Sequence, residues 1–231
     1  MLEVALRPGS DRSGSSASPD LFFANRKAFN RIIIRIFDIV FSLGAILFFA
    51  PLMIVIAIAI MLFDPGPIFF SQQRIGKCAK LFRCLKFRTM VVDAEARLAE
   101  LLSNSPAARA EWEAEQKLRK DPRITPLGVF LRRSSLDELP QLFNVLMGDM
   151  SLVGPRPIVI DEVSRYGRYF GNYCTVRPGI TGLWQVSGRS DVKYRRRVAL
   201  DVSYIRSKDL FFNLKILYLT IPNVLLSRGS Y

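Results

Sequence analysis

Histidine is absent from this chain. That gap excludes a histidine general base, a Ser-His-Asp triad and every imidazole metal ligand. Cysteine is scarce: Cys78, Cys84 and Cys174 are odd in number and widely spaced. They make no zinc pattern, and they fit a reducing compartment. There is no glycine-rich P-loop, no dinucleotide fingerprint and no internal repeat. Acidic residues are in the minority, 20 against 33 Lys and Arg, for a net charge of +13. Such a balance suits a polyanion: nucleic acid, an anionic leaflet or a phosphorylated substrate. Enzymatic chemistry, if present, must come from carboxylates, arginines, lysines and a divalent ion.

Charge is missing altogether from Ile39 to Phe63, and Pro51 sits inside that run. The run is about 25 residues, or roughly 37 Å as a helix, enough for a hydrocarbon core of roughly 30 Å. A straight spanning helix with a tolerated proline is one reading. The other is a bent, re-entrant hairpin, because Pro51 deprives the carbonyl of Leu47 of its helical partner. Flanking charge favours the hairpin. Arg26, Lys27, Arg31 and Arg35 precede the run, and Arg74, Lys77, Lys80, Arg83, Lys86 and Arg88 follow it. Positive flanks stay cytoplasmic, and only a hairpin keeps both there. Arg35 and Asp38 lie three apart, an interfacial pair or a device for holding the bend together with Pro51. The membrane run also weighs against nucleic acid as a partner.

The expected organisation has three parts. Residues 1–25 read as a disordered tail rich in Ser, Gly, Pro and Asp, not as a signal peptide. Residues 26–64 form the membrane hairpin, and residues 65–231 a cytoplasmic catalytic domain. Without tail and run, roughly 165 residues remain, enough for one compact domain. The pattern predicts strands at Ile68 to Gln73 and within Leu81 to Met90, then helices in Val91 to Lys120 broken near Ser103 to Pro106. Further helices are predicted from Asp137 to Met147, Ile158 to Tyr173, Val192 to Ser207 and Leu210 to Leu226. The last of these puts Leu210, Leu214, Leu217, Ile221 and Val224 on one face, for the core or as an interfacial amphipathic helix. The fold class is α/β, mainly α, with the domain carried on the re-entrant helix and assisted by interfacial helices.

The densest chemistry is Ser134-Ser135-Leu136-Asp137-Glu138-Leu139-Pro140. Ser135 and Glu138 match a capping box, which is only a stabilising device. Pro140 argues for another placement. With Asp137 as N-cap, the proline lies at N3, where its missing N–H has no intrahelical partner to lose. Asp137 is then expected at a helix mouth, where unpaired N–H groups suit a phosphate. Glu138 follows at about 100° around the helix. A carboxylate can attack phosphorus covalently while its neighbour orients a metal.

Lys86, Arg88, Arg132, Arg133, Arg156, Arg177 and Arg189 lie in or beside turn-forming sequence. Arginine is suited to bidentate contact with phosphate oxygens. Arg156 is clamped between Pro155 and Pro157. Asp149 is a candidate turn cap or ion ligand. Trp184 is expected to pack, with stacking on a base as the alternative. Arg195, Arg196 and Arg197 read as a solvated basic face.

Three ordered segments then stand out: KFRTM at Lys86 to Met90, SLDELPQLFNVLMGDMSLVGPRP from Ser135 to Pro157, and VRPGITGLWQVSGR from Val176 to Arg189. Together they resemble the bacterial sugar transferase family, the monotopic polyprenyl-phosphate phosphoglycosyl transferases, over about Arg31 to Leu226. The likeness is nearest to short, exopolysaccharide-type members. It implies transfer of a sugar 1-phosphate, from a UDP-hexose such as UDP-galactose or UDP-glucose, to undecaprenyl phosphate with release of UMP. It implies Mg²⁺, Asp137 as nucleophile forming an aspartyl-phosphosugar, Glu138 as its helper and metal ligand, and Arg189 on a phosphate. Lys86, Arg88, Arg156 and Arg177 complete the expected substrate ligands, and Asp149 joins Asp137 and Glu138 as an expected metal ligand. The implied location is the cytoplasmic face of the bacterial inner membrane, with membrane lipid as a further partner and a homodimer left open. The family bend is often Ser-Pro, whereas this chain has Ala50-Pro51.

A competing reading from another class is a non-enzymatic basic adaptor on anionic lipid; it has no use for the Asp137–Glu138 pair. The hairpin makes one direct prediction. A cysteine introduced ahead of Arg26 should stay unlabelled by an impermeant external reagent in sealed cells; labelling there would establish a spanning helix.

Overall fold

A computed structural model describes residues 19–115, 118, 121–188 and 193–225. Its dominant element is one helix, α1 (Pro19–Phe63), with Pro51 inside it. The helix starts inside the segment expected to be disordered tail, so residues 19–25 are helical; residues 1–18 lie outside the described residues.

The segment expected as a bent membrane hairpin, residues 26–64, lies within this one helix, which continues through the proline. Its buried positions, Ile34, Asp38, Ser42, Met53, Ile56 and Ile60, recur at helical spacing along one stripe. Phe37, Ala45, Ile46 and Phe49 join that stripe against the domain. Both halves of α1 therefore lie along the domain. Pro51 and Leu47 are exposed on the outer side. A proline there frees a carbonyl on the convex side, which bends a helix towards what it packs on. Only 17% of the most apolar window is buried, so most of its apolar surface faces away from the protein.

After α1 the chain forms an antiparallel hairpin of β1 (Phe69–Ile75) and β2 (Leu81–Phe87), with Phe69 opposite Phe87 and Ile75 opposite Leu81. Two exposed helices follow, α2 (Ala94–Asn104) and α3 (Pro106–Glu115), broken at Ser105 as the sequence predicts. Helix α4 (Pro126–Arg133) is capped by Thr125, whose side chain accepts from the Gly128 N–H. It leads through a single 3-10 turn (Leu136–Glu138) into α5 (Gln141–Met147). Strand β3 (Ser151–Val153) then pairs in parallel with β4 (Gly179–Thr181).

Between them, the helix predicted from Ile158 to Tyr173 is a string of short turns that includes α6 (Val163–Tyr166) and α7 (Phe170–Tyr173). Gly167, at φ +49 and ψ −129, interrupts it. A one-turn α8 (Leu183–Val186), α9 (Tyr194–Ser207) and α10 (Leu210–Leu225) complete the fold. On α10 the fully buried positions are Asn213 and Ile216, with Leu217 of the predicted stripe packed beside them, whereas Leu214 and Ile221 are exposed, so the stripe as a whole is not the core face. The helix is apolar on more than one side, so spacing alone did not identify the inner face.

The main core joins Phe82 and Cys84 of β2 to Leu142 and Val145 of α5, Leu152 of β3 and Ile216 of α10. A second cluster sets Met53, Ile56 and Ile60 of α1 against Phe87 and Leu131. Burial of each such side chain contributes about 1.5–3 kcal/mol.

Polar clamps join the first cluster to α1. Arg35 donates from Nη1 to the Val145 carbonyl at 2.7 Å and from Nη2 to the Leu146 carbonyl at 3.0 Å. It thereby adds to the capping of the α5 C-terminus, where the Val145 carbonyl also accepts from the Gly148 N–H at 3.1 Å. Asp38 accepts from the Leu152 N–H at 3.0 Å and the Ser151 hydroxyl at 2.8 Å. The expected role of Arg35 and Asp38 in the membrane bend is thus corrected. They lie about four turns upstream of Pro51 and bolt α1 to α5 and β3.

One buried acid is poorly matched to its surroundings. Asp201 on α9 is 1% exposed and accepts from the Tyr166 hydroxyl at 2.7 Å, while its Oδ1 has no partner among the described residues. Burial pushes its pKa up to about 7, against the Tyr166 bond. The folded value thus lies above the unfolded one of about 3.9. Between these pH values the native state holds a proton that the unfolded chain releases, so this group's contribution falls as pH rises through the window. Asp201→Asn should flatten that dependence: its thermal midpoint should gain on wild type by a few degrees between pH 5 and pH 8. Parallel midpoint curves would contradict this.

Candidate active site

Asp137 and Glu138 sit in the 3-10 turn that leads into α5. The helix mouth expected at Asp137 is displaced. Pro140 is the N-cap of α5, and Asp137 lies a few residues ahead of it. Ser135 makes no side-chain cap bond, so the predicted capping box is absent. Instead Ser135 adopts a left-handed conformation, φ +57 and ψ +16. A non-glycine residue there costs of order 1–3 kcal/mol, and such strain clusters at functional sites. The kink it makes turns the chain out of α4 and into the acidic turn.

The two carboxylates converge on one ammonium group. Lys86 Nζ lies 2.6 Å from Glu138 Oε1 and 3.4 Å from Asp137 Oδ2. Lys86 shares the β2 face of Phe82 and Cys84, so alternation brings it out where the core opens. Asp137 is buried, 6% exposed, whereas Glu138 is more open. Burial raises the Asp137 pKa, Glu138 adds to the rise, and Lys86 and Arg132 oppose it. Burial works against the charge on Lys86, but Glu138 and Asp137 together hold its pKa above the ordinary value. Asp137 is therefore a poorly solvated carboxylate whose raised pKa is opposed by the neighbouring cations Lys86 and Arg132.

These groups line a cleft of about 1120 Å³. Lys86, Arg88, Arg132 and Arg156 bring positive charge to it. Arg132 also donates from Nε to the Thr89 hydroxyl at 2.9 Å. Thr89 lies against Gly128, where an added Cβ would come within 2.0 Å of the Thr89 carbonyl oxygen. Arg88 is buried and bonded to the Asp64 carbonyl, and its Nε and Nη1 have no partner among the described residues. Buried unpaired N–H groups in a cleft wall suit an incoming anion. Arg156 is exposed at the rim. Its loop is held by Arg74, whose Nη1 donates to the Pro157 carbonyl at 3.0 Å. Apolar side chains share the lining, among them Phe41, Phe49, Phe69, Phe70 and Leu217, and Phe70 pairs opposite Lys86 on the hairpin. Trp184 is buried as expected, with the Arg197 guanidinium 4.8 Å above its ring, and it lines the cleft.

Three expected ligands are placed otherwise. Arg177 does not line the cleft; its Nε donates to the Gly148 carbonyl at 2.6 Å, beyond the end of α5. Asp149 follows that carbonyl, at the opposite end of α5 from the acidic pair, and is corrected as a metal ligand. Arg189 lies outside the described residues. Arg132 and Ser135 are the residues that the sequence reading undervalued. The position of Arg132, shortly before the acidic pair, was a usable signal, whereas nothing in the sequence marks the left-handed Ser135.

The residues present suit a magnesium ion. Among the described residues no group of three His, Cys, Asp or Glu could hold a metal. Magnesium at a phosphate site takes only one or two carboxylates and completes its shell with phosphate oxygens and water. Asp137 and Glu138 supply that donor set.

Residues 29–227 match the bacterial sugar transferase family. An undecaprenyl-phosphate galactose phosphotransferase of Salmonella typhimurium is 51% identical over 89% of this chain and 43% of its own length. An exopolysaccharide production protein, ExoY, of Rhizobium meliloti is 48% identical over 85% of this chain and 87% of its own. A UDP-glucose:undecaprenyl-phosphate glucose-1-phosphate transferase of Escherichia coli is 37% identical over 87% and 42%. The chain thus spans less than half of the galactose and glucose transferases and most of ExoY.

Removing the ammonium tests the electrostatics directly. Lys86→Met should move the Asp137 titration further upward, since Lys86 opposes the rise that burial causes. Infrared titration of the carboxyl stretch, with Asp137→Asn to identify the band, reads it. An unmoved titration would show that Lys86 does not oppose that rise.

Proposed function

Since this chain belongs to the bacterial sugar transferase family, we propose that it transfers a hexose 1-phosphate from a UDP-hexose to undecaprenyl phosphate, releasing UMP. The relatives' names carry galactose and glucose, so both are candidate sugars. The observation that carries the reading is the buried Asp137 beside Lys86 and Glu138, in a cleft lined by both arginines and apolar side chains.

The chemistry needs in-line positioning and charge neutralisation more than acid–base exchange. In the first step an oxygen of ionised Asp137 attacks the sugar-bearing phosphorus. The new bond joins Asp137 to that phosphorus, and the bond to the bridging oxygen breaks. The electron pair leaves with UMP. In the second step an oxygen of the lipid phosphate attacks the same phosphorus and the Asp137 carboxylate is released. No proton has to move in either step, which accords with a chain that has no histidine.

Lys86, Arg88, Arg132 and Arg156 offer countercharge to the phosphates, and guanidinium groups can do so bidentately. Asp137 and Glu138 would hold Mg²⁺, which supplies charge neutralisation on phosphoryl oxygens when bound. The apolar lining suits an isoprenoid chain. The outer face of α1, with Leu47, Phe48, Leu62 and Phe63 exposed, suits lipid. Because both halves of α1 pack on the domain, the re-entrant arrangement at the cytoplasmic leaflet fits better than a rod that leaves the domain and crosses. A lipid adaptor would have no return for the energetic penalty of burying a carboxylate.

Full-length protein with UDP-galactose or UDP-glucose, undecaprenyl phosphate and Mg²⁺ should release UMP, and EDTA should abolish the release. Asp137→Asn should lower the rate at least about a thousandfold with an unchanged thermal midpoint. Unimpaired UMP release by that variant would remove Asp137 as the nucleophile.

A further inference from the structure

We propose that Asn144 is the positioning residue that sets the separation between Lys86 and the Asp137–Glu138 carboxylates. The activity part of this inference rests on the phosphosugar-transfer reading; the geometric part does not.

Among the described residues, strand β2 pairs with β1 along one edge only. On its other edge, the Arg83 carbonyl and the Leu85 N–H point away from β1 and have no strand to meet. Asn144 meets both. Its Oδ1 accepts from the Leu85 N–H at 2.9 Å, and its Nδ2 donates to the Arg83 carbonyl at 2.8 Å. A side-chain amide has the donor and acceptor of a peptide group. Here it stands in for one peptide unit of an absent neighbouring strand. The residue is 0% exposed. Its own carbonyl accepts from the N–H groups of Gly148, Asp149 and Met150, at 3.2, 3.1 and 3.2 Å. Side chain and main chain are both committed, so Asn144 has no freedom to follow a shifted partner.

Lys86 comes directly after Leu85, and the acidic turn leads directly into the helix that bears Asn144. Lys86 and the carboxylates, about 50 residues apart in sequence, are thus both referenced to one amide. The tolerance is small. Lys86 Nζ is 3.4 Å from Asp137 Oδ2, and a further displacement of about 1 Å would leave that contact beyond hydrogen-bond reach. Misplacements of that size lower rates by about a hundredfold. No other side chain fits both edges. Aspartate lacks the donor and sets a charge against the Arg83 carbonyl, glutamine is a methylene too long, and leucine leaves both backbone groups unpaired.

The experiment compares wild type, Asn144→Leu, Asn144→Ser, Lys86→Met and the two double variants as full-length chains in nanodiscs. Four quantities are read: thermal midpoint, amide exchange at Leu85, the kcat and KM for UDP-hexose per folded molecule, and the pH profile of turnover. Asn144→Leu should speed Leu85 exchange at least tenfold. It should lower kcat about a hundredfold with KM within about threefold, and move the acid limb of the profile upward as Lys86→Met does. In the Lys86→Met background either Asn144 substitution should change kcat by less than about threefold, since both act through one contact. If Asn144→Leu does not fold, Asn144→Ser decides, because its hydroxyl is a smaller perturbation. Wild-type kcat and pH profile in a folded Asn144 variant would overturn the proposal, and so would losses that multiply with Lys86→Met. Absence of UMP release from wild type would instead overturn the transfer reading, leaving Leu85 exchange and the Asp137 titration to judge the positioning.

Discussion

An ammonium group between two carboxylates is the contact around which this protein is arranged. Burying a lone carboxylate costs several kcal/mol after relaxation, and Asp137 is 6% exposed. Lys86, 2.6 Å from Glu138 and 3.4 Å from Asp137, offsets part of that penalty by placing a countercharge beside both. The contact joins segments far apart in sequence, so it exists only if strand β2 and the turn before α5 are held in register. Much of the surrounding structure performs that holding. Phe82 and Cys84 of β2 pack against Leu142 and Val145 of α5, the Asn144 amide fills the edge of β2, and Arg35 closes the far end of α5.

The long apolar helix is a wall of this arrangement as well as a candidate anchor. Its inner stripe runs from Ile34 to Ile60, with Asp38 bonded to β3 and Met53, Ile56 and Ile60 packed on Phe87 and Leu131. Phe41 and Phe49 of the same helix line the cleft. The cleft thus offers an isoprenyl phosphate apolar side chains for its tail and arginines for its head. The reading of the cleft as a phosphosugar-transfer site and the reading of α1 as a re-entrant helix therefore support each other, because both require the carboxylates to lie close to the headgroup level.

Where the sequence reading missed, a short element or a spent side chain was the cause. The proline rule placed Asp137 at a helix N-cap, but Ser135 takes a left-handed conformation and a 3-10 turn intervenes before α5. Backbone strain of that kind leaves no trace in residue type. Arg177 and Asp149 have the chemistry of ligands, yet the Gly148 carbonyl occupies one and the end of α5 carries the other away from the cleft. Arg35 and Asp38 look like a local helical pair, and each instead bonds to residues more than 100 positions away.

The amino-acid sequence by itself determined the chemistry available: no imidazole, a carboxylate pair, a surplus of arginine, one uncharged run and three segments shared with a transferase family. These follow from composition and from short-range pattern, which residue types carry with them. Only the tertiary structure decided which charges meet. Whether an arginine faces a cleft or a backbone carbonyl depends on partners that are distant in sequence. So does whether a buried aspartate has a lysine beside it, because hydrogen bonding and desolvation act through space and not along the chain.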